Sequence, residues 1–124
     1  MKDYRDSIKK LEDIYLSDDI VLASGHGKGY FTKQLQIFKN ALKRIEINEG
    51  KVLNMFNSEK PKDLKEITFK GVYYSENHVK HLPTDAKKIH FFWEWYIILH
   101  HIIELIEKGK LIKTDPEHKV FILK

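Results

Sequence analysis

The segment TDAKKIHFFWEWYIILHHIIELIEKGKLI, residues 84–112, decides the fold. From Asp85 to Lys108 it reads as one long helix. Thr84 or Asp85 caps its start, and Gly109 closes it with Lys108 in the last turn, where a cation meets the carbonyl end. Ile89, Phe91, Phe92, Trp93, Trp95, Ile98, Leu99, Ile102, Ile103, Leu105 and Ile106 make it apolar over most of its circumference, which predicts packing on two sides. The polar residues Lys87, His90, Glu94, His101, Glu104 and Lys108 fall on one stripe. His90, Glu94 and His101 on that stripe have the chemistry of a metal site, but a solvated face with intrahelical His–Glu pairs is favoured. His100 lies about 100° away around the helix and reads as a satisfied buried histidine.

Working outward, Leu111-Ile112 and Val120-Phe121-Ile122-Leu123 flank the turn Asp115-Pro116-Glu117 and predict a β-hairpin. Upstream, Asp63 followed by Glu66 reads as a capping box that opens a short helix, Leu64 to Phe69. Residues 70–86 have no strong period. From Thr32 to Asn57 the pattern is helical, with Leu35, Phe38, Leu42, Ile45, Val52, Leu53 and Phe56 on the core side and a break or kink at Gly50. Residues 48–124 therefore run helix, short helix, long helix, hairpin, the order of a winged helix-turn-helix. Such a fold commonly binds DNA through a third helix that shows bases Arg, Lys, Asn or Gln. Here the stripe has two acids at its centre and no Arg, Asn or Gln, so DNA binding is disfavoured. The aromatic residues read as core or interface, and Trp93, Trp95 and Tyr96 are good anchors for a partner protein, which makes a non-catalytic interaction module an alternative.

Residues 3–15 predict an amphipathic helix through Tyr4, Ile8, Leu11 and Ile14 or Tyr15, stopped by Ser17-Asp18-Asp19. Ile20-Val21-Leu22-Ala23 then reads as a short buried strand. It runs into Ser24-Gly25-His26-Gly27-Lys28-Gly29, the most glycine-dense segment of the chain. Ligand sites form outside the carboxyl ends of strands in α/β layers, and an imidazole between glycines can point at a metal. Alone, the tripeptide is equally compatible with a phosphate-binding loop or a plain turn. A Walker pattern is absent.

The chain has 124 residues, 22 Lys+Arg against 18 Asp+Glu, and no Cys. That length fits one modest domain or two very small ones and leaves little room for a large active site. The lack of Cys excludes disulfides, a thiolate zinc site and a Cys nucleophile, and makes the cytoplasm the expected compartment. No run of about 18 apolar residues exists, so no membrane span is expected, and the start is too polar for a secretion signal. The net charge of +4 permits contact with nucleic acid without arguing for it, since acids and bases are interleaved.

The order of motifs is more specific than any one of them. Tyr4-x-x-Ser7-x-x-x-Leu11, an apolar strand, Gly25-His26-Gly27, and a helix containing Lys43-Arg44 resemble the last third of a metallo-β-lactamase-fold hydrolase. Lys51-Val-Leu-Asn-Met-Phe, Lys60-Pro61 and Asp63-Leu-Lys-Glu-Ile67 resemble the opening of the winged-helix domain appended to many such hydrolases. Leu99-His100-His101-Ile-Ile-Glu-Leu105 running into Gly109-Lys110 resembles its third helix and wing. The resemblance covers nearly the whole chain.

The resemblance implies an αββα sandwich holding one or two metal ions, usually zinc, that activate a water for hydrolysis. His26 matches the family's last histidine ligand, although Lys28 replaces the usual Pro after the loop. The family's main motif, His-x-His-x-Asp-His, is absent: none of His26, His78, His81, His90, His100, His101 and His118 has that spacing. One histidine is not a hydrolytic zinc site. His78 and His81, three apart in a loop, are the right type for a ligand pair but read as surface histidines.

The expectation is therefore an α+β, mostly helical chain: a winged helix-turn-helix preceded by a helix–strand piece of an αββα sandwich. Residues 1–30 would be the sandwich edge, 31–47 a connecting helix and 48–124 the winged helix. The chain would be the C-terminal region of a zinc-dependent hydrolase, inactive alone, with its winged helix packed on the active-site cleft. Its expected partner is the N-terminal part of that hydrolase, or a protein carrying it. An apolar surface on residues 1–24 and on helix 85–108 would be left uncovered, favouring a homodimer or aggregation when the partner is missing. Neither nucleic acid nor a membrane is expected as a partner.

Overall fold

The computed structural model describes residues 1–17, 21–23, 30–31, 35–115 and 120–124. The chain is α+β and mostly helical, and it divides into two compact units, Lys2–Glu46 and, apart from Met1, Ile47–Lys124. In the first unit α1 (Lys2–Ser17) is amphipathic and buries Ile8 and Tyr15. The Tyr15 ring meets Phe38 of α2 (Gln36–Leu53) at 5.4 Å between centroids. Strand β1 (Leu22–Ala23) pairs antiparallel with β2 (Tyr30–Phe31). The predicted strand is shorter than expected, and Val21 lies outside it and is exposed. Ile20 and the whole Ser24–Gly29 segment lie outside the described residues.

Helix α2 continues through Gly50 without the expected break. A glycine inside a helix costs about 1 kcal/mol relative to alanine. Packing of Val52, with Phe56 just beyond the helix end, into the core of the second unit outweighs that cost.

Strand β3 (Lys62–Asp63) leads directly into α3 (Leu64–Ile67). The capping box is formed: Glu66 N–H donates to Asp63 Oδ1 at 2.9 Å, and Asp63 N–H donates to Glu66 Oε2 at 2.8 Å. A further short helix, α4 (Glu76–Val79), lies in the stretch that showed no period, and the Ser75 side chain caps it by accepting from His78 N–H at 3.2 Å. One turn is too short to generate a readable period.

Helix α5 (Thr84–Glu107) starts differently from the expectation. Pro83, not Thr84 or Asp85, is the N-cap, and no side chain caps the helix. The Pro83 carbonyl accepts from Lys87 N–H at 2.9 Å and closes the first turn, so Thr84 is already helical. The C-terminus follows the sequence expectation. Gly109 has φ 68°, its N–H donates to the Ile106 carbonyl, and Lys110 N–H donates to the Leu105 carbonyl, both at 2.8 Å. This paired closure turns the chain into β4 (Leu111–Asp115), which pairs antiparallel with β5 (Val120–Leu123).

The sheet order is β3-β5-β4, all antiparallel, so the strand before α3 flanks the C-terminal hairpin. Val52, Phe56, Leu64, Ile67, Val72, Ile98, Ile102, Leu105, Leu111 and Phe121 form the core between these helices and the sheet. Outside the core, Lys108 of the α5 C-cap bonds both Glu49 oxygens, at 2.8 and 2.9 Å, and tethers the end of α5 to α2. Burial pulls the Lys108 ammonium toward a lower pKa, but Glu49 and Glu104 outweigh it and hold the group above its usual value.

Truncating Ile102, fully buried at the centre of this core, is expected to cost about 2–5 kcal/mol, read as a lower denaturant midpoint at unchanged slope. Gly109→Ala is expected to cost about 1–2 kcal/mol in the same measurement, because its left-handed backbone then carries a Cβ.

Candidate functional site

The two sides of α5 carry the chemistry: the polar stripe lies opposite to its expected placement, while an uncovered apolar surface, as expected for this helix, is present. Glu94 and His101, expected on a solvated stripe, are each 0% exposed. The outward side instead presents Phe92 at 61%, Trp93 at 57% and Tyr96 at 51% exposure, with Ile89 and Ile103 also exposed.

The inward polar residues are buried because a neighbouring loop supplies their partners. Glu94 Oε2 accepts from Phe69 N–H at 3.0 Å, and Glu94 Oε1 accepts from Tyr73 N–H and Tyr74 N–H, both at 3.2 Å. The loop adopts the shape this requires. Phe69 has φ 64° and Gly71 has φ 92°, and these two left-handed residues fold the loop so that the N–H groups of Phe69, Tyr73 and Tyr74 converge on one carboxylate. Phe69 accepts its unfavourable backbone while its ring packs edge-on against Phe91 at 5.6 Å. Lys51 of α2 holds the same loop from its other side through the Gly71 and Val72 carbonyls, at 3.4 and 3.3 Å. Burial raises the Glu94 carboxyl pKa above its usual value. The N–H groups of Tyr74, Tyr73 and Phe69 oppose that rise without cancelling it.

His101 stacks on Tyr73, and its Nε2 lies 2.9 Å from the Tyr73 hydroxyl. The buried histidine is thus His101, whereas His100 is half-buried, with its ring edge-on to Tyr96 at 4.5 Å. His90 donates from Nδ1 to the Ala86 carbonyl at 2.7 Å. Its ring meets Tyr74, which also stacks on the exposed His78 of α4. His81 is exposed.

His90, Glu94 and His101 are therefore taken up by separate partners. Among the described residues no group of three or more His, Asp or Glu side chains is placed to hold a metal ion. His26, the expected metal ligand, lies outside the described residues, as does His118. Among the described residues no helix is long and apolar enough to cross a membrane.

Of the three aromatic residues expected as partner anchors, Trp93 and Tyr96 are exposed, while Trp95 packs on the core. Glu94 is sealed inside and repels no phosphate. What α5 shows outward is a row of aromatic and aliphatic side chains where a recognition helix shows donors and cations. No protein-family model matches the chain, and no curated protein sequence matches it either.

Replacing Glu94 with Ala leaves three half-buried N–H groups without this acceptor and is expected to cost about 3 kcal/mol. Because the Glu94 pKa is raised, the folded protein binds its proton more tightly than the unfolded chain does. Its contribution to stability is then full below the ordinary carboxylate pKa and is lost as pH rises through the folded value. The stability difference between wild type and Glu94→Gln should therefore shrink as pH rises above the ordinary carboxylate range, measured by denaturant unfolding at each pH.

Proposed function

We propose that this chain is the C-terminal region of a metal-dependent hydrolase of the metallo-β-lactamase superfamily, with Ile47–Lys124 as its appended winged helix shaping the active-site cleft. The observation that carries the winged-helix part is the strand order β3-β5-β4 around α2, α3 and α5, in which the strand before the second helix flanks the wing hairpin. The hydrolase part is supported by the Gly25-His26-Gly27 motif between α1 and this unit, in the order that the family shows.

The residues present do not themselves fit a hydrolytic zinc site. Such a site takes about three protein ligands and an open position. His26 offers one donor, and the described residues gather no further cluster. In this reading His26 completes a site whose other ligands come from a separate segment or chain, and the winged helix contributes shape, not ligands. The aromatic outer face of α5 favours a second reading, a protein-interaction module without catalysis. Duplex DNA binding fits that face poorly.

The purified chain is expected to bind no stoichiometric zinc with high affinity and to hydrolyse neither esters nor phosphodiesters. Addition of a polypeptide carrying the His-x-His-x-Asp-His motif of the same hydrolase is expected to restore turnover. His26→Ala is then expected to lower that turnover by more than about 100-fold. Turnover by this chain alone, or restored turnover that ignores His26, would refute the proposal.

A further inference from the structure

The outer face of α5 carries a regular apolar row that is exposed, unlike the buried inner face. Ile89, Tyr96 and Ile103 are spaced by seven, and Phe92, Trp93 and His100 fall between them three or four residues from Tyr96. All six lie within one third of the helix circumference. The pattern is nearly symmetric about Tyr96: Ile89 and Ile103 are equidistant from it, as are Phe92 and His100. A row that reads alike in both directions is self-complementary when two copies meet antiparallel across a two-fold axis.

We infer that the outer face of α5 is the interface of a homodimer, with the two α5 helices antiparallel and the two-fold axis at Tyr96. In that arrangement Ile89 meets Ile103 of the partner subunit, and Phe92 meets His100 of the partner subunit. Each Tyr96 meets its own counterpart. The opposed macrodipoles favour the antiparallel sense. The heptad spacing supplies the shallow crossing at which two helices pack 8–10 Å apart.

The area is sufficient. An aromatic side chain offers about 150–250 Å². At their observed exposures Phe92, Trp93 and Tyr96, together with the two isoleucines, leave roughly 500 Å² of apolar surface on one copy. Two copies bring about 1,000 Å² together before any polar rim is counted, the threshold for a specific interface. The Phe92 and Tyr96 rings are already stacked, with an interplanar angle of 15°, and so present a preformed surface. This inference goes beyond the hydrolase proposal and does not depend on it.

The test uses the whole chain, whose lack of Cys makes introduced thiols unique. Sedimentation is expected to give twice the mass of one chain. Trp93→Glu combined with Tyr96→Glu should return it to the single-chain mass with its helical circular dichroism unchanged. Tyr96→Cys is expected to cross-link to itself under mild oxidation. Ile89→Cys and Ile103→Cys should cross-link only when the two variants are mixed. A single-chain mass for the wild type overturns the inference and leaves the face to another polypeptide, such as the rest of a hydrolase. A dimer that survives the double glutamate change, or Ile89→Cys cross-linking to itself, overturns it as well. None of these readouts involves a metal or turnover, so the two proposals fail separately.

Discussion

A carboxylate held out of water needs donors on every side, and Glu94 finds three of them in the backbone of one loop. That requirement organises the Ile47–Lys124 unit. It sets the left-handed turns at Phe69 and Gly71, brings Tyr73 to His101, and places Tyr74 between two imidazoles. The loop in turn fixes the rotation of α5 about its own axis. With Glu94 and His101 committed inward beside Ile98, Ile102 and Leu105, the side that remains outward is aromatic. A buried acid and an exposed tryptophan on one helix are two results of one rotational setting.

That setting bears on what the unit can recognise. A helix that offers rings and isoleucines to its surroundings gains by meeting another apolar surface and gains little from a phosphate backbone. Lys88, one position before Ile89, borders this face and does not replace it. Such a face suits a unit that shapes or joins other protein surfaces more than one that reads a sequence of bases.

The parts of the fold legible in the sequence are those fixed by short-range chemistry. Asp63 and Glu66 announce α3 because a capping box is a local exchange of two hydrogen bonds. Gly109 announces the end of α5 because only a residue without Cβ takes φ 68° at no cost. The hairpin follows from two apolar runs around a proline. The orientation of α5 is not legible, because apolar residues occupy almost every direction around it and the polar stripe looks like the natural solvent side. What reverses that choice is a set of N–H donors about 20 residues away in sequence, whose alignment depends on backbone angles at Phe69 and Gly71. Pro83 displaced Thr84 as the cap for a related reason: a carbonyl, not a side chain, closes the first turn. Of the candidate metal site, His26 is legible as a motif residue only, since a ligand set is a property of several segments brought together.

The two tryptophans sit two positions apart in α5, yet one rides with the core and the other with the outer face. Indole emission shifts to the blue out of water, so the protein carries two optical reporters with different addresses. Trp95 records whether the core is intact, and Trp93 records whether anything lies on the helix. Loss of structure and loss of a partner therefore leave separate spectral signatures in an unlabelled chain.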